Sequence, residues 1–89
     1  MSDYKVTHWP NRSRFEICED GHTAYVEYYV HDGCADILHT IVPVHMENRG
    51  IGSCLVKATY DWARAEGLNP LGTCSFAAAW LRRHPDYLE

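Results

Sequence analysis

In this chain of 89 residues the stretch best equipped for chemistry is Pro43-Val44-His45-Met46-Glu47-Asn48-Arg49-Gly50-Ile51-Gly52-Ser53. It joins a run that reads as a buried strand to the start of a long amphipathic one. The first turn of a helix carries backbone N–H groups without internal partners and a partial positive charge, and glycine lets an anion approach them closely. Arg49 and Ser53 add further donors, so the stretch suits a pyrophosphate. Gly50 and Gly52 also fit a plainer role, relief of crowding where a helix meets a sheet. Two commoner phosphate loops do not match. The G-x-G-x-x-G pattern would need a third glycine where Leu55 stands, and no G-K-[ST] occurs in the chain.

Other reactive side chains are scattered. The cysteines Cys18, Cys34, Cys54 and Cys74 form no C-x-x-C pair, and thiols that stay reduced are expected. The histidines His8, His22, His31, His45 and His84 show neither a helical i, i+4 pair nor metal-type spacing with cysteine, so no metal site is expected. The formal charge of −4 and the pI near 5.8 argue against a nucleic-acid partner, which would call for a basic face. The longest apolar run, Phe76 to Leu81, is far short of a membrane span, and the first fifteen residues lack the apolar stretch of a signal peptide, so the cytoplasm is the expected compartment.

The elements that must position these groups follow from hydrophobic period. Length allows one domain, with no repeat or linker. Arg14 to Glu19 and His22 to His31 alternate as strands, with a turn at Glu19-Asp20-Gly21 and another at Asp32-Gly33. Ala35 to Val42 places Ala35, Ile37, His39 and Ile41 on one face and Leu38, Thr40 and Val42 on the other. Both faces are mainly apolar, which predicts a strand covered on both sides, ended or bulged at Pro43. From Arg49 to Glu66 the period turns helical, with Asn48 as N-cap and Gly67 as the closing glycine. Leu68 to Cys74 reads as a fourth strand and Phe76 to Arg83 as a last helix before His84-Pro85. The expected class is α+β, a single domain in the order β-β-β-α-β-α with a mixed sheet. The strand–helix–strand crossover makes the fourth strand parallel to the third.

Four blocks carry a resemblance: His39-Thr40-Ile41-Val42-Pro43, then Arg49-Gly50-Ile51-Gly52-Ser53, Cys74-Ser75-Phe76 and Arg83-His84-Pro85-Asp86-Tyr87. In this order they resemble the small, single-domain branch of the GNAT N-acetyltransferase superfamily, over about Phe15 to Tyr87. The resemblance implies an α/β-type GNAT core whose third and fourth strands splay around acetyl-CoA. It implies cofactor binding by Val42, Pro43 and Val44 along the pantetheine arm and by Asn48, Arg49, Gly50, Ile51, Gly52 and Ser53 at the pyrophosphate, with Phe76 and Arg83 alongside. Arg82 and Arg83 also suit the negative end of the last helix. In one respect the chain departs from the family's R/Q-x-x-G-x-G/A loop. Its first position is Glu47, whose carboxylate repels a pyrophosphate, so that either Arg49 carries the cationic role or CoA binds more weakly than in relatives.

The chemistry implied is acetyl transfer from a thioester to an amine, which needs a deprotonated amine, a polarised carbonyl and a proton for the leaving thiolate. Cys74, matching the block's cysteine, is the candidate to accept the acetyl group or give a proton; a buried packing thiol is the alternative. His39 is the candidate base, with satisfied packing as its alternative. The expected function is an acetyl-CoA-dependent N-acetyltransferase acting on an amine acceptor such as a lysine or a polyamine, with an open acceptor side because so short a chain cannot enclose one. A CoA or acyl-CoA binder with little catalysis, acting as a ligand sensor or interaction module, is the second reading. The sequence carries no signal of oligomeric state.

Overall fold

Two turns set the sheet. Asp20-Gly21 and Asp32-Gly33 both take positive φ at each residue (51° and 79°, 52° and 74°), the backbone of two-residue hairpins whose twist matches that of the strands they join. In the computed structural model, which describes residues 4–88, these hairpins link a sheet ordered β1 (Thr7–Trp9), β2 (Arg14–Glu19), β3 (His22–His31), β4 (Cys34–Ile41) and β5 (Asn69–Gly72). The first three pairings are antiparallel and β4 pairs β5 in parallel, as expected of the third and fourth strands. Helix α1 (Ile51–Ala65) makes the crossover, and α2 (Ser75–Arg83) follows β5. Strand β1 was not legible: three residues are too few to show a period.

The bulge is not at Pro43. Glu27 pairs with His39 and Tyr28 with Ile37, so Leu38 is the extra residue of β4. An extra residue reverses the side to which all later side chains point. Ala35 and Ile37 share the face of Tyr28, but after Leu38 that face is continued by Thr40, opposite Val26, while His39 and Ile41 turn to the other side. The simple alternation of the sequence therefore misplaces His39.

A single core fills one face. Phe15, Ile17, Ala24, Val26, Tyr28 and Ile37 of the sheet meet Ile51, Leu55, Val56 and Tyr60 of α1 and Ala77, Trp80 and Leu81 of α2. The other face carries no helix, so the expectation that β4 is covered on both sides is corrected: Tyr29, Ile41 and Leu71 are exposed there. Two polar contacts lock the layers, the Tyr60 hydroxyl donating to the Leu71 carbonyl at 2.8 Å and Trp80 Nε1 donating to Ser53 Oγ at 2.9 Å. β1 is held through His8, whose ring stacks on Phe15 at 4.0 Å and whose Nε2 lies 2.7 Å from the Tyr28 hydroxyl. Among the described residues, no helix is long and apolar enough to cross a membrane.

β4 and β5 part company early. Their pairing runs from Cys34↔Asn69 to Ile37↔Gly72, and one further bond joins Cys74 N–H to the Ile37 carbonyl at 3.0 Å. Where they part, Asp36 is 5% exposed. Its Oδ1 accepts the Thr73 backbone N–H at 2.9 Å and its Oδ2 accepts the Thr73 hydroxyl at 2.8 Å. Burial alone would push this carboxyl up, but these bonds and one with His31 hold it below its ordinary value.

Two outcomes test this packing. A Cβ at Gly72 would lie 2.8 Å from the backbone nitrogen of Ala78, so β5 or α2 must shift to admit it. Gly72→Ala is expected to cost about 1–3 kcal/mol, read from the urea midpoint. Burial of His8 lowers its pKa below the ordinary 6.5. Its neutral form therefore contributes stability that is present above pH 6.5 and is lost as pH falls toward the depressed value. His8→Phe keeps the ring and removes the proton site, so the stability of H8F relative to wild type should rise between pH 7 and pH 5 (a span of about the width of one titration). A constant difference across that range would contradict the assignment.

Candidate functional site

Beyond Ile37 the edge of β4 turns away from the β5–α2 segment, and the gap between them opens into a cleft of about 400 Å³. Its walls come from Thr40 of β4 and Val42 just beyond it, the turn before α1 (Met46, Glu47, Asn48, Gly50), the first turn of α1 (Ile51, Gly52, Ser53), and Phe76 of α2. The volume lies within the range usual for small-ligand pockets. Seven of the expected binding residues, Val42, Asn48, Gly50, Ile51, Gly52, Ser53 and Phe76, are thus brought together.

The two glycines have separate physical roles. Gly50 is the N-cap of α1 at φ 75°, a left-handed conformation that side chains disfavour, and Asn48 also lies there at φ 65°. No side chain caps the helix, so Asn48 is not the N-cap. The N–H groups of Ile51, Gly52 and Ser53 therefore have no partner within the helix and border the cleft. Gly52 answers to space: a Cβ there would sit 3.0 Å from Phe76 Cζ and 3.5 Å from Val42 Cγ2. Ser53 Oγ accepts from Trp80, which leaves its own proton free to donate.

Four expected binding residues stand elsewhere. Val44 is 72% exposed and forms no part of the wall, because residues 44–46 wind into a 3-10 turn that buries Met46 instead. Pro43 starts that turn, its carbonyl accepting Met46 N–H at 2.8 Å. Arg83 ends α2, eight residues or about 12 Å of helix from Ser75 at the cleft end, and is not brought to it. Arg49 turns away from the cleft and holds Glu19 Oε1 at 3.3 Å. With the two side chains 47% and 37% exposed, that ion pair contributes under about 1 kcal/mol.

Of the two chemical candidates, Cys74 is beside the cleft and His39 is not. Cys74 is the N-cap residue of α2, partly buried, with Sγ 3.6 Å from the Thr40 hydroxyl that lines the cleft. Burial pushes its thiol up, but the Ala77 backbone, the Thr40 hydroxyl and the backbones of Phe76 and Thr40 outweigh it and bring the thiol below its ordinary value. These contacts favour the thiolate. His39 stands exposed on the helix-free face, across from Glu27, because the bulge at Leu38 reverses the phase. Thr40 and Asp36 were missed: the available signals were a hydroxyl two residues before Val42 and a carboxylate within an apolar strand. Among the described residues no three His, Cys, Asp or Glu side chains converge to hold a metal ion.

Comparison with known proteins adds two findings. The sequence model of the GCN5-related N-acetyl-transferase family matches residues 14–89. The solution NMR structure of a GCN5-like protein from Staphylococcus aureus is 29% identical, covers 98% of this chain and 86% of its own, and superposes with a TM-score of 0.73.

The Thr40 contact can be tested directly. Replacing Thr40 with Val removes the hydroxyl that accepts from the thiol and can turn to donate to its thiolate, so alkylation of Cys74 by iodoacetamide at neutral pH, followed by peptide mapping, should slow several-fold. The other three cysteines serve as internal controls. An unchanged rate would show that Thr40 does not activate the thiol.

Proposed function

The chain belongs to the GCN5-related N-acetyltransferase family, and on that premise we propose that it binds acetyl-CoA in the cleft and transfers the acetyl group to an exposed amine. One observation carries this reading. The same cleft has the uncapped start of α1 in its wall and the Thr40–Cys74 pair beside the parting strands. A pyrophosphate at the first end would meet the N–H groups of Ile51, Gly52 and Ser53, and the Ser53 hydroxyl. The amide-bearing arm would run beside Val42 along the edge that β4 no longer shares with β5, where backbone groups can pair with it.

When bound, acetyl-CoA supplies the activated acyl carbon. In the overall reaction the amine nitrogen forms a bond to that carbon, the carbon–sulfur bond breaks, and the amine's proton balances the departing thiolate. Cys74 stands on this path in one of two roles, holding the acetyl group on Sγ or passing a proton. Its low-lying thiol and the neighbouring Thr40 hydroxyl suit both. The acceptor approaches from the helix-free face, where Glu27 favours a cationic amine such as a lysine or a polyamine over an anion.

A specific observation favours the second reading, a CoA binder with little turnover. Glu47 is the charged residue in the cleft wall, and His39 lies on the opposite face of the sheet from the helices. Neither is placed as a base beside Cys74.

Thermal unfolding distinguishes binder from non-binder, and turnover distinguishes the two readings. Acetyl-CoA at about 100 times its Kd should stabilise the fold by about 2.7 kcal/mol, a rise in Tm on the order of 10 °C. No shift at millimolar ligand would sink both. With labelled acetyl-CoA and a panel of amines, Cys74→Ala should retain binding and lose about 100-fold or more in turnover. Wild-type binding without turnover on any amine would establish the binder, and intact mass after acetyl-CoA alone reports whether Cys74 carries the acetyl group.

A further inference from the structure

Asp36 stands where β4 and β5 part, yet no step of the transfer uses it, and one of its bonds leads away from the cleft. Its Oδ2, which accepts the Thr73 hydroxyl, also lies 3.2 Å from His31 Nε2, while the other ring nitrogen of His31, Nδ1, lies 3.1 Å from Asp32 Oδ2. A neutral imidazole has one N–H and serves one of these carboxylates; both nitrogens donate only in the imidazolium form. We propose that this imidazolium is a positioning residue for Cys74. It keeps the Asp36 carboxylate seated on Thr73 and, through the Thr73–Cys74 backbone, holds the thiol at the cleft, so the site tightens when His31 takes up a proton and loosens when it gives one up. The inference rests on the reading above only where that reading gives the thiol a use in acetyl transfer.

Asp36 is 5% exposed, and a carboxylate so deep needs donors or a counter-charge. Thr73 supplies two donors, both neutral. Among the described residues, His31 is the side chain that pairs a positive charge with it. The His31 side chain is itself 30% exposed, so it trades protons with water while its partner is shielded. The bonds with Asp32 and then with Asp36 raise the imidazole above its ordinary 6.5. Against its burial, Asp36 is held low by Thr73 and then by His31.

The connection to the thiol is short. Thr73 precedes Cys74, whose N–H makes the last bond between the strands, to the Ile37 carbonyl at 3.0 Å, and Cys74 is also the N-cap residue of α2. Any drift of Thr73 off Asp36 therefore moves Cys74 relative to the Thr40 hydroxyl at 3.6 Å and to the backbone groups of α2 that favour its thiolate. The Tyr60 hydroxyl, anchored on the Leu71 carbonyl, is pushed up by its burial and then by the charges of both Asp36 and Cys74, so carboxylate and thiol flank one core hydroxyl.

The remaining groups around His31 offer it no second cation. Tyr29, two residues earlier on β3, stacks on the ring at 5.1 Å, and Cys34, opposite it on β4, turns its thiol to the Asp32 carbonyl at 3.7 Å. From the segment after β5 comes Thr73, which carries no charge. A histidine raised in this way contributes fully below the ordinary 6.5, and its contribution is lost as pH rises through the raised value.

Amide hydrogen exchange of the intact protein, each rate divided by its intrinsic rate at the same pH, tests this at the Thr73 N–H, which donates to Asp36 Oδ1. In wild type its protection should hold steady up to about pH 6.5 and fall several-fold as His31 loses its proton. His31→Gln keeps a donor without the charge and should show the lower wild-type level at every pH. Asp32→Asn suits the positive φ of that turn and removes the outer carboxylate, and should move the fall to lower pH. In step with this, iodoacetamide should alkylate Cys74 of H31Q several-fold more slowly than that of wild type at about pH 6, and equally fast once the wild-type His31 is neutral. Cys18, at the far end of β3's pairing with β2, is the internal control. A flat wild-type profile, or the same profile in H31Q, would overturn the inference, as would a pH-dependent Thr73 N–H with no matching change at Cys74. Neither readout uses acetyl-CoA, so failure of that ligand to bind overturns the reading above and leaves the clamp standing.

Discussion

The buried carboxylate of Asp36 fixes where the sheet opens. Its two oxygens take both donors of Thr73, and the Cys74 N–H then closes the last bond to β4 through Ile37. A carboxylate so deeply placed is tolerated only with such partners; without them it would cost several kcal/mol or take up a proton. Because Asp36 is committed to Thr73, β5 cannot continue alongside β4. The chain leaves the sheet at Gly72, and its next residues start α2. The cleft, the exposed edge of β4 and the position of Cys74 all follow from that departure. Gly72 belongs to the same constraint, since α2 passes so near it that no side chain fits.

A second device, the bulge at Leu38, works with the first. Without the extra residue, Thr40 would face the bare side of the sheet and the cleft wall would present His39. With it, Thr40 and Val42 face the helices, and the Thr40 hydroxyl meets Cys74 at the point where the strands have separated. Carboxylate and bulge are two residues apart on one strand. Between them they convert an ordinary parallel pair into a wall with a donor, a free edge and a thiol.

Much of this was legible. Strong alternation gave β2 and β3 their observed bounds, and the 3.6-residue period gave α1 to within two residues at its start. The parallel relation of β4 and β5 followed from the crossover. The cleft's position was legible through the four-block resemblance and not through the glycines at 50 and 52 alone, whose spacing also fits relief of crowding between a strand and a helix. What escaped notice was decided at longer range. A bulge has no local signature in Ile37-Leu38-His39, since any of the three could be the extra residue, and the outcome depends on how β3 packs against α1. The direction of Arg49 was hidden for a similar reason. Its partner Glu19 is thirty residues earlier, and only the folded hairpin brings the two together. Val44 differs for another reason: the resemblance placed it along the pantetheine arm, but the 3-10 turn at residues 44–46 buries Met46 and leaves Val44 exposed.

The charge pattern around α1 follows from economy of length. A helix start with free N–H groups attracts anions without discrimination, so selectivity must come from what surrounds it. Here the nearest carboxylate, Glu47, weakens that attraction inside the cleft, while the nearest guanidinium is held outside it by Glu19. Such an arrangement disfavours small free anions, which can reach only the helix start. With helices on only one face of the sheet, the chain has little surface from which to build a separate specificity pocket.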